Sequence, residues 1–375
     1  MMNSLPTSIR IKHANRSRIF QMFLKNEACS KQDIITNLHL SLPTVTQNLN
    51  DLMQEGLIAE SGSVGNTGGR RAKVFSVVKN ARCAVGLDIT RNHITAVTVN
   101  LFGEVIGCIR KNIIFEQTDT YYKVLADMVD SVITESNLAP SSILGVGIGV
   151  PGLIEEDNNR VFYGKILNFT GATASEFSSY IPYDTSLFND ANAAGYAEIW
   201  ANKDIRNAFY VMLSNNIGGS ILINNNIYSG ENIRSGEVGH TTVVPKGERC
   251  YCGQRGCLDP YCAATVLSSL TDGNLDAFFE RLKKGEPHIV RIWSEYLDYL
   301  AIAVNNLRVL FDCSVIVGGY VGVFMEDYLD DLKSRAAKLS TFEDNADYLS
   351  VCIYKTEAIA AGAALNFIAK FLKTI

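Results

Sequence analysis

His240, Cys250, Cys252 and Cys257 form the densest group of metal-ligating side chains in the sequence. Three thiolates and one imidazole fill a tetrahedral zinc shell and leave no position open, so the implied Zn2+ is structural. Gly253 and Gly256 let the chain turn tightly around an ion, and Arg249 and Arg255 can offset the charge of three thiolates. A reduced cysteine-rich loop or a disulfide is the competing reading. The N-terminus has no apolar export segment, which weighs against a disulfide. The cysteines outside this group, Cys262 included, read as buried thiols.

The segments that must carry such a site begin after residue 80. Strands are expected at Ala84–Ile89, Ile94–Val99 and Val105–Ile109, then a helix from Tyr121 to Thr134 and a strand at Ile143–Gly149. A strand at Ser186–Phe188, a helix from Ala191 to Trp200 and strands at Ala208–Leu213 and Gly219–Ile223 follow. Long helices fill 264–310. Strand Val315–Val317, a helix after Val323, strand Leu349–Ile353 and a helix from Glu357 complete the chain. Strand clusters alternating with helices make an α/β fold. The strand–strand–strand–helix–strand unit recurs loosely after residue 186, which suggests two related lobes with a cleft between them.

The first eighty residues have a different pattern. Helices are expected from about Ser17 to Lys25, from Ser30, and from Ser41. Ser30 and Ser41 suit N-caps, and Asp33 and Pro43 suit first turns. In the third helix Val45, Leu49 and Leu52 make one buried stripe. Pro43, Thr46, Gln47 and Asn50 point the other way, a small polar face that suits base edges in a major groove. With the short turn between them, these helices read as a helix-turn-helix. Gly62, Gly65, Gly68 and Gly69 then mark a hairpin tip, followed by Arg70, Arg71, Lys73 and a strand to Val78. That is a wing with a basic tip, placed for phosphates or a minor groove. Ser41, Pro43, Thr44, Thr46, Gln47, Arg70 and Arg71 are the candidate contacts to an operator in double-stranded DNA.

Charge divides the same way. Residues 1–80 carry ten Lys/Arg against five Asp/Glu, and the rest carry 24 against 34. A basic head on an acidic body suggests that the head meets a polyanion. The composition, 47% hydrophobic and 19% charged, is that of a soluble globular protein. No run approaches the length of a membrane span, and the expected location is the cytoplasm. Two units are expected: residues 1–80, a winged helix-turn-helix DNA-binding domain, and residues 81–375, a two-lobed domain with its zinc loop at 240–257.

Gly236-Glu237-Val238-Gly239-His240, followed by Cys250-x-Cys252-Gly-x-x-Gly-Cys257-Leu258-Asp259, resembles the signature of ROK proteins (repressors, open reading frames, kinases). Asn189-Asp190-Ala191-Asn192-Ala193-Ala194 and Gly149-Val150-Pro151-Gly152 match two further ROK motifs, and the head resembles that of ROK repressors. The resemblance implies a sugar-kinase-like fold of the actin/hexokinase (ribonuclease H-like) type, with a sugar or sugar phosphate bound in the cleft, which makes residues 81–375 a ligand-sensing domain. It places Asn168, Asn189, Asp190, Glu237, His240 and Asp259 around the hydroxyls, His240 serving the metal as well. Asp190 also suits a helix N-cap. Asp259 stands where the family's enzymes carry Glu, which changes the reach by about one methylene.

ROK kinases hold ATP phosphates with an Asp-x-Gly-Gly-Thr loop and a Gly-Thr-Gly-Ile-Gly-Gly loop. Here the corresponding runs are Asp88-Ile89-Thr90-Arg91-Asn92 and Ser214-Asn215-Asn216-Ile217-Gly218-Gly219, while Gly318-Gly319 survives. Asp190 has the general-base residue type but no evident phosphoryl donor to serve. A non-enzymatic repressor of carbohydrate genes is therefore expected, as a homodimer or homotetramer. A sugar kinase retaining a DNA-binding head and a DNA-bound scaffold with an inert cleft are the alternatives.

Overall fold

The computed structural model describes residues 7–64, 72–155, 157 and 159–375. The head contains α1 (Thr7–Lys25), β1 (Cys29–Ser30), α2 (Lys31–Leu38), α3 (Leu42–Gln54), β2 (Ile58–Val64) and β3 (Ala72–Val77). Ser30 caps α2 in a full capping box with Asp33, and Ser41 caps α3 with Pro43 in the first turn. Ile19, Phe20 and Phe23 of α1 pack with Ile34, Val45, Leu49 and Leu52 as one buried core. β3 lies between β1 and β2 in an antiparallel sheet. The wing glycines Gly65, Gly68 and Gly69, with Arg70 and Arg71, lie outside the described residues. α1 starts ten residues before the expected Ser17. Its first half has no apolar stripe to read; ion pairs from Lys12 to Asp51 (3.0 Å) and from Arg16 to Glu55 hold it to α3 instead.

The body repeats one sheet twice. In the first lobe β4 (Cys83–Ile89), β5 (His93–Asn100) and β6 (Val105–Asn112) form an antiparallel meander. α4 (Asp119–Glu135) leads to β7 (Ile143–Val150), parallel to β4. A short hairpin, β8 (Leu153–Ile154) and β9 (Val161–Tyr163), and the turn α5 (Ala174–Phe177) precede β10 (Thr185–Asn189), parallel to β7. Sequence reading missed the hairpin and α5, because two or three residues show no period. The strand order is β10-β7-β4-β5-β6.

α6 (Asp190–Ala201) crosses to the second lobe, where β11 (Ala208–Leu213), β12 (Ile217–Ile223) and β13 (Asn226–Ile227) form the matching meander. Then come α7 (Asp259–Cys262), α8 (Ala264–Ser268), α9 (Leu275–Lys283) and α10 (Pro287–Phe311). β14 (Ser314–Gly318), α11 (Gly319–Gly322), α12 (Leu329–Leu339), β15 (Leu349–Val351) and α13 (Ala358–Leu372) close the chain. β14 and β15 extend the second sheet in parallel, giving the order β13-β12-β11-β14-β15. Each order is a three-stranded meander continued by two parallel strands, so the recurrence read from sequence is a repeated lobe. No helix among the described residues is long and apolar enough to cross a membrane.

Of the cysteines outside the 250–257 cluster, Cys29, Cys83, Cys262, Cys313 and Cys352 are buried, but Cys108 is exposed. Its strand is the outer edge of the first sheet and alternates toward solvent.

α13 lies against β4, β7 and α6 at backbone distance. A Cβ on Gly86 would strike the Ala360 carbonyl, one on Gly147 the Ala363 carbonyl, and one on Gly362 the Ala193 carbonyl. Helix propensity alone favours Gly362→Ala by up to about 1 kcal/mol. Overpacking against a backbone oxygen costs about 1–3 kcal/mol and wins. Gly362→Ala is expected to lower the urea midpoint of unfolding. Gly273→Ala, in open space at φ +84°, supplies the comparison with backbone strain and no clash. A midpoint for Gly362→Ala at or above the parent's would show that α6 and α13 can separate freely.

Candidate functional site

The cleft is built where β10 ends and α6 begins. Asn189 caps α6: its Oδ1 accepts from the Asn192 N–H at 2.9 Å, and its Nδ2 donates to the Gly152 carbonyl at 3.0 Å. Asp190 Oδ1 accepts from the Ala191 N–H at 2.8 Å and from Asn189 Nδ2 at 3.1 Å. Its Oδ2 takes no hydrogen bond from the described residues. Burial pushes the Asp190 carboxyl up to about 7, assisted by the charge of Glu237 and opposed by the Ala191 N–H. Asp190 therefore combines helix-start duty with a free oxygen facing the cavity.

The opposite wall comes from the loop that ends in Gly236. Gly236 has φ +83°, and a side chain there would strike the Gly219 carbonyl, so glycine is required twice over. That turn presents Glu237, whose Oε2 lies 4.0 Å from His240 Nε2. His240 Nδ1 is 3.7 Å from Cys250 Sγ, and Cys252 Sγ is 3.8 Å from Cys257 Sγ. The four donor atoms all lie within 4.8 Å of one another. Tetrahedral ligands about 2.3 Å from an ion stand roughly 3.8 Å apart, whereas a disulfide needs about 2.05 Å. The donor set and its spacing thus fit a closed tetrahedral metal, with Nδ1 as the imidazole ligand. Nε2 is left pointing away from the thiols, 3.2 Å from Tyr251 Oη.

A cavity of about 540 Å³ joins the two walls. Asn189, Asp190, Glu237 and His240, four of the six residues that the motifs implied, are brought together in its lining. Asn168 and Asp259 lie outside that lining. Asn168 is exposed, in a left-handed turn (φ 56°), and its carbonyl accepts from Gln117. Asp259 is only 6% exposed, and its Oδ2 accepts from the Ile217 N–H at 2.7 Å. The cavity also recruits Phe162, Tyr163, Lys165, Arg234 and Tyr251, which sequence reading did not single out. Adjacent aromatics before a lysine were a weak signal. Nothing in sequence tied them to an arginine seventy residues later.

The runs corresponding to the two phosphate loops of ROK kinases, and Gly318-Gly319, make other contacts here. Thr90 closes the β4–β5 turn: its Oγ1 accepts from the N–H groups of Asn92 (3.3 Å) and His93 (3.1 Å). The Ile217 N–H is taken by Asp259, and the Gly319 N–H donates to Tyr210 Oη at 3.2 Å. Gly319 itself is fixed by φ +78° and by the Leu213 backbone against it.

In the head, Leu42, Pro43, Gln47 and Asn50 of α3 are exposed, with Thr44 and Thr46 half-buried. Ser41 Oγ and Thr44 Oγ1 are 2.8 Å apart and share the cap, and Gln47 Nε2 donates to Asp51 at 2.7 Å. The polar face expected for base edges is therefore presented, with two of its hydroxyls already engaged.

A reading head joined to a two-lobed, sugar-kinase-like body defines a class, and the chain belongs to the ROK family, which matches residues 84–369. Residues 13–59 match the winged helix-turn-helix DNA-binding family. The chain is 31% identical to the xylose repressor of Bacillus subtilis over 261 residues, 68% of this chain and 67% of that protein. It is 33% identical to a glucokinase of Halalkalibacterium halodurans over 270 residues, 64% of this chain and 81% of that one. Its fold matches the crystal structure of a ROK family transcriptional regulator, a homolog of the E. coli MLC protein. That match has a TM-score of 0.72, covers 97% of both chains and has 20% sequence identity.

Asp88, at the end of β4, is 2% exposed, and its Oδ1 has no partner among the described residues. Burial pushes its carboxyl up to about 8, helped by Asp190 and opposed by Arg110. His93 Nε2 lies 3.9 Å away, but burial, then Arg110, pushes His93 down to about 4, so no ion pair forms at neutral pH. The folded pKa of Asp88 is raised above the unfolded value, so its stability contribution is full below about pH 4 and lost as pH climbs through about 8. The slope is up to about 1.4 kcal/mol per pH unit. Asp88→Asn is expected to unfold at higher urea than the parent at pH 8.5, with the gap closing at pH 5. Parallel pH profiles for the two proteins would show that Asp88 is already ionised in the fold.

Proposed function

We propose that this chain is a sequence-specific DNA-binding repressor of carbohydrate-metabolism genes, released or recruited by a sugar or sugar derivative in the cleft. One observation carries the reading. Asn189, Asp190, Glu237 and His240, the groups expected to meet hydroxyls, share one cavity, while the N–H groups of Asn92, Ile217 and Gly319, in the runs that would face a nucleotide, are bonded within the chain. Carboxylates at fixed positions accept several hydroxyl hydrogen bonds. With those N–H groups taken and no glycine in Asp88–Asn92, less is left to hold nucleotide phosphates. The xylose repressor name of the Bacillus subtilis relative supports the same reading.

The head, residues 1–80, meets the operator. Pro43, Thr46 and Gln47 face the major groove, with Ser41 and Thr44 at the cap, and Arg70 and Arg71 contact phosphates. A homodimer or homotetramer sets two recognition helices about one DNA turn apart. The work is done in the cytoplasm, where the operator is. A structural Zn2+ held by His240 Nδ1, Cys250, Cys252 and Cys257 fixes the loop that forms one cavity wall. Its closed shell supplies no Lewis-acid step.

Coupling is tested by titrating the effector sugar with and without operator DNA. Linkage of about 1–3 kcal/mol makes sugar affinity differ by about 5- to 150-fold, and equal affinities would sink the proposal. Arg70→Ala with Arg71→Ala is expected to weaken operator binding and to lower the salt slope by about one per lost phosphate contact, sparing sugar binding. Cys252→Ser is expected to lose the metal, measured as zinc content, and to lower Tm; a fully metallated variant removes Cys252 from the shell.

The kinase reading keeps one specific support, the glucokinase relative together with the free Oδ2 of Asp190. Saturating ligand at 100 times its Kd adds about 2.7 kcal/mol of stability. A thermal shift with Mg-ATP, and sugar phosphate as product, would restore that reading. A shift with sugar alone supports the sensor.

A further inference from the structure

We propose that Tyr251 gates the sugar site: its phenol and a sugar hydroxyl compete for one donor, His240 Nε2, so the effector binds by displacing the Tyr251 side chain. This rests on the sugar-sensing reading above and concerns what sets the sensitivity of that site.

Tyr251 lines the cavity together with Asp190, Glu237 and His240. Its Oη lies 3.2 Å from His240 Nε2, and its ring meets the imidazole edge to face, with centroids 5.2 Å apart. His240 Nδ1 is turned to the thiols, 3.7 Å from Cys250 Sγ. A metal held there by Nδ1 would leave the ring hydrogen on Nε2. Nε2–H then donates and the phenol oxygen accepts. Glu237 Oε2 stands 4.0 Å from the same nitrogen. A donor and an acceptor at that separation suit one hydroxyl, which accepts from the first and donates to the second. Tyr251 thus offers His240 the same group that a sugar would, an oxygen that both accepts and donates. Among the described residues Tyr251 Oη has no other hydrogen-bond partner, so the contact with His240 is its whole polar attachment.

The loop lets the side chain move while the backbone stays. The Gly253 N–H donates to the Cys250 carbonyl and the Cys250 N–H to the Gln254 carbonyl, each at 2.9 Å, so Tyr251 sits inside a tight turn. Its neighbours on both sides, Cys250 and Cys252, belong to the four-residue cluster, and a metal there would pin the chain at each. The Tyr251 side chain is 57% exposed, and no buried apolar cluster among the described residues includes it. Rotation about its own side-chain bonds therefore frees His240 without opening any element, and exposed side chains make such rotations fast. Displacement costs the phenol's hydrogen bond and ring contact, and the incoming hydroxyl restores a hydrogen bond to Nε2. The competition lowers affinity by the modest net worth of one hydrogen bond and does not abolish binding.

The test is calorimetric titration of the zinc-loaded full chain with a monosaccharide panel that includes glucose, xylose and N-acetylglucosamine, beside Tyr251→Phe at equal zinc content. Phenylalanine keeps the ring and removes the competing oxygen. The sugar that binds the parent is expected to bind Tyr251→Phe about 2- to 10-fold tighter. Among the monodeoxy analogues of that sugar, one should show no gain, the one lacking the hydroxyl that takes the phenol's place. Incorporated 3-fluorotyrosine adds a positional readout: the fluorine signal missing from Tyr251→Phe should shift when sugar binds. Unchanged or weaker binding by Tyr251→Phe, an equal gain for every deoxy analogue, or a fluorine signal that ignores the sugar would overturn the competition and leave sugar sensing intact. Failure of every sugar with both proteins would overturn the sensor reading itself.

Discussion

The contact on which the molecule depends is the backbone-to-backbone seating of α13. Gly86 and Gly147 let it lie directly on β4 and β7, and Gly362 lets it cross α6 with no side chain between. Interiors packed this closely do not deform smoothly; they shift as units. α6 starts at Asn189 and Asp190, so one end of that crossing is a wall of the cavity. The buried apolar residues of α13 run on without a break into those of the head, through Ala361, Ala364, Leu365 and Ile368. The cleft and the reading head are thus tied to the same helix pair.

Around that frame, buried carboxylates act chiefly as backbone ligands. Glu198, on α6, is 1% exposed and accepts from the N–H groups of Ile353 (2.7 Å) and Tyr354 (2.9 Å), just ahead of α13. Asp259 does the same for Ile217. Burial raises both carboxyls, and each N–H bond pulls back toward ionisation. The shortening from Glu to Asp at 259, read from sequence as a change in ligand reach, acts in the structure on the β11–β12 turn. That turn corresponds to the second phosphate loop of ROK kinases, so the carboxylate that lies outside the cavity lining takes one of that turn's N–H groups.

What was legible in the sequence was local. Ser30 and Ser41 announced their helices because a cap is a contact three residues long. The Cys3His cluster announced itself because its ligands lie within one loop. The repeated lobe showed through strand spacing. Contacts made between distant segments left no such trace. Arg234 over Phe162 joins residues from different lobes, and Asp259 is turned by an N–H forty-two residues away. Asn168 carries the right residue type, yet it sits in a left-handed turn and is not among the residues that line the cavity. The early half of α1 is held by ion pairs, and those have no hydrophobic period.

The metal cluster and the cavity share His240, and that sharing has a physical use. Gly253 and Gly256 both take positive φ, so the loop that carries the cysteines is built from its most permissive residues. Such a loop is costly to order. A tetrahedral ion held there would meet that cost once, on folding, and would leave the imidazole with one nitrogen committed and the other beside Glu237 and Tyr251. Hydroxyl-rich ligands are well solvated, so a site gains affinity for them mainly by having its donors and acceptors fixed beforehand. Asn189 and Asp190 are fixed by the start of α6, and Glu237 by the turn at Gly236. His240 ends a single helical turn, Val238–His240, which fixes its backbone, and a metal held by the cluster would fix its ring as well.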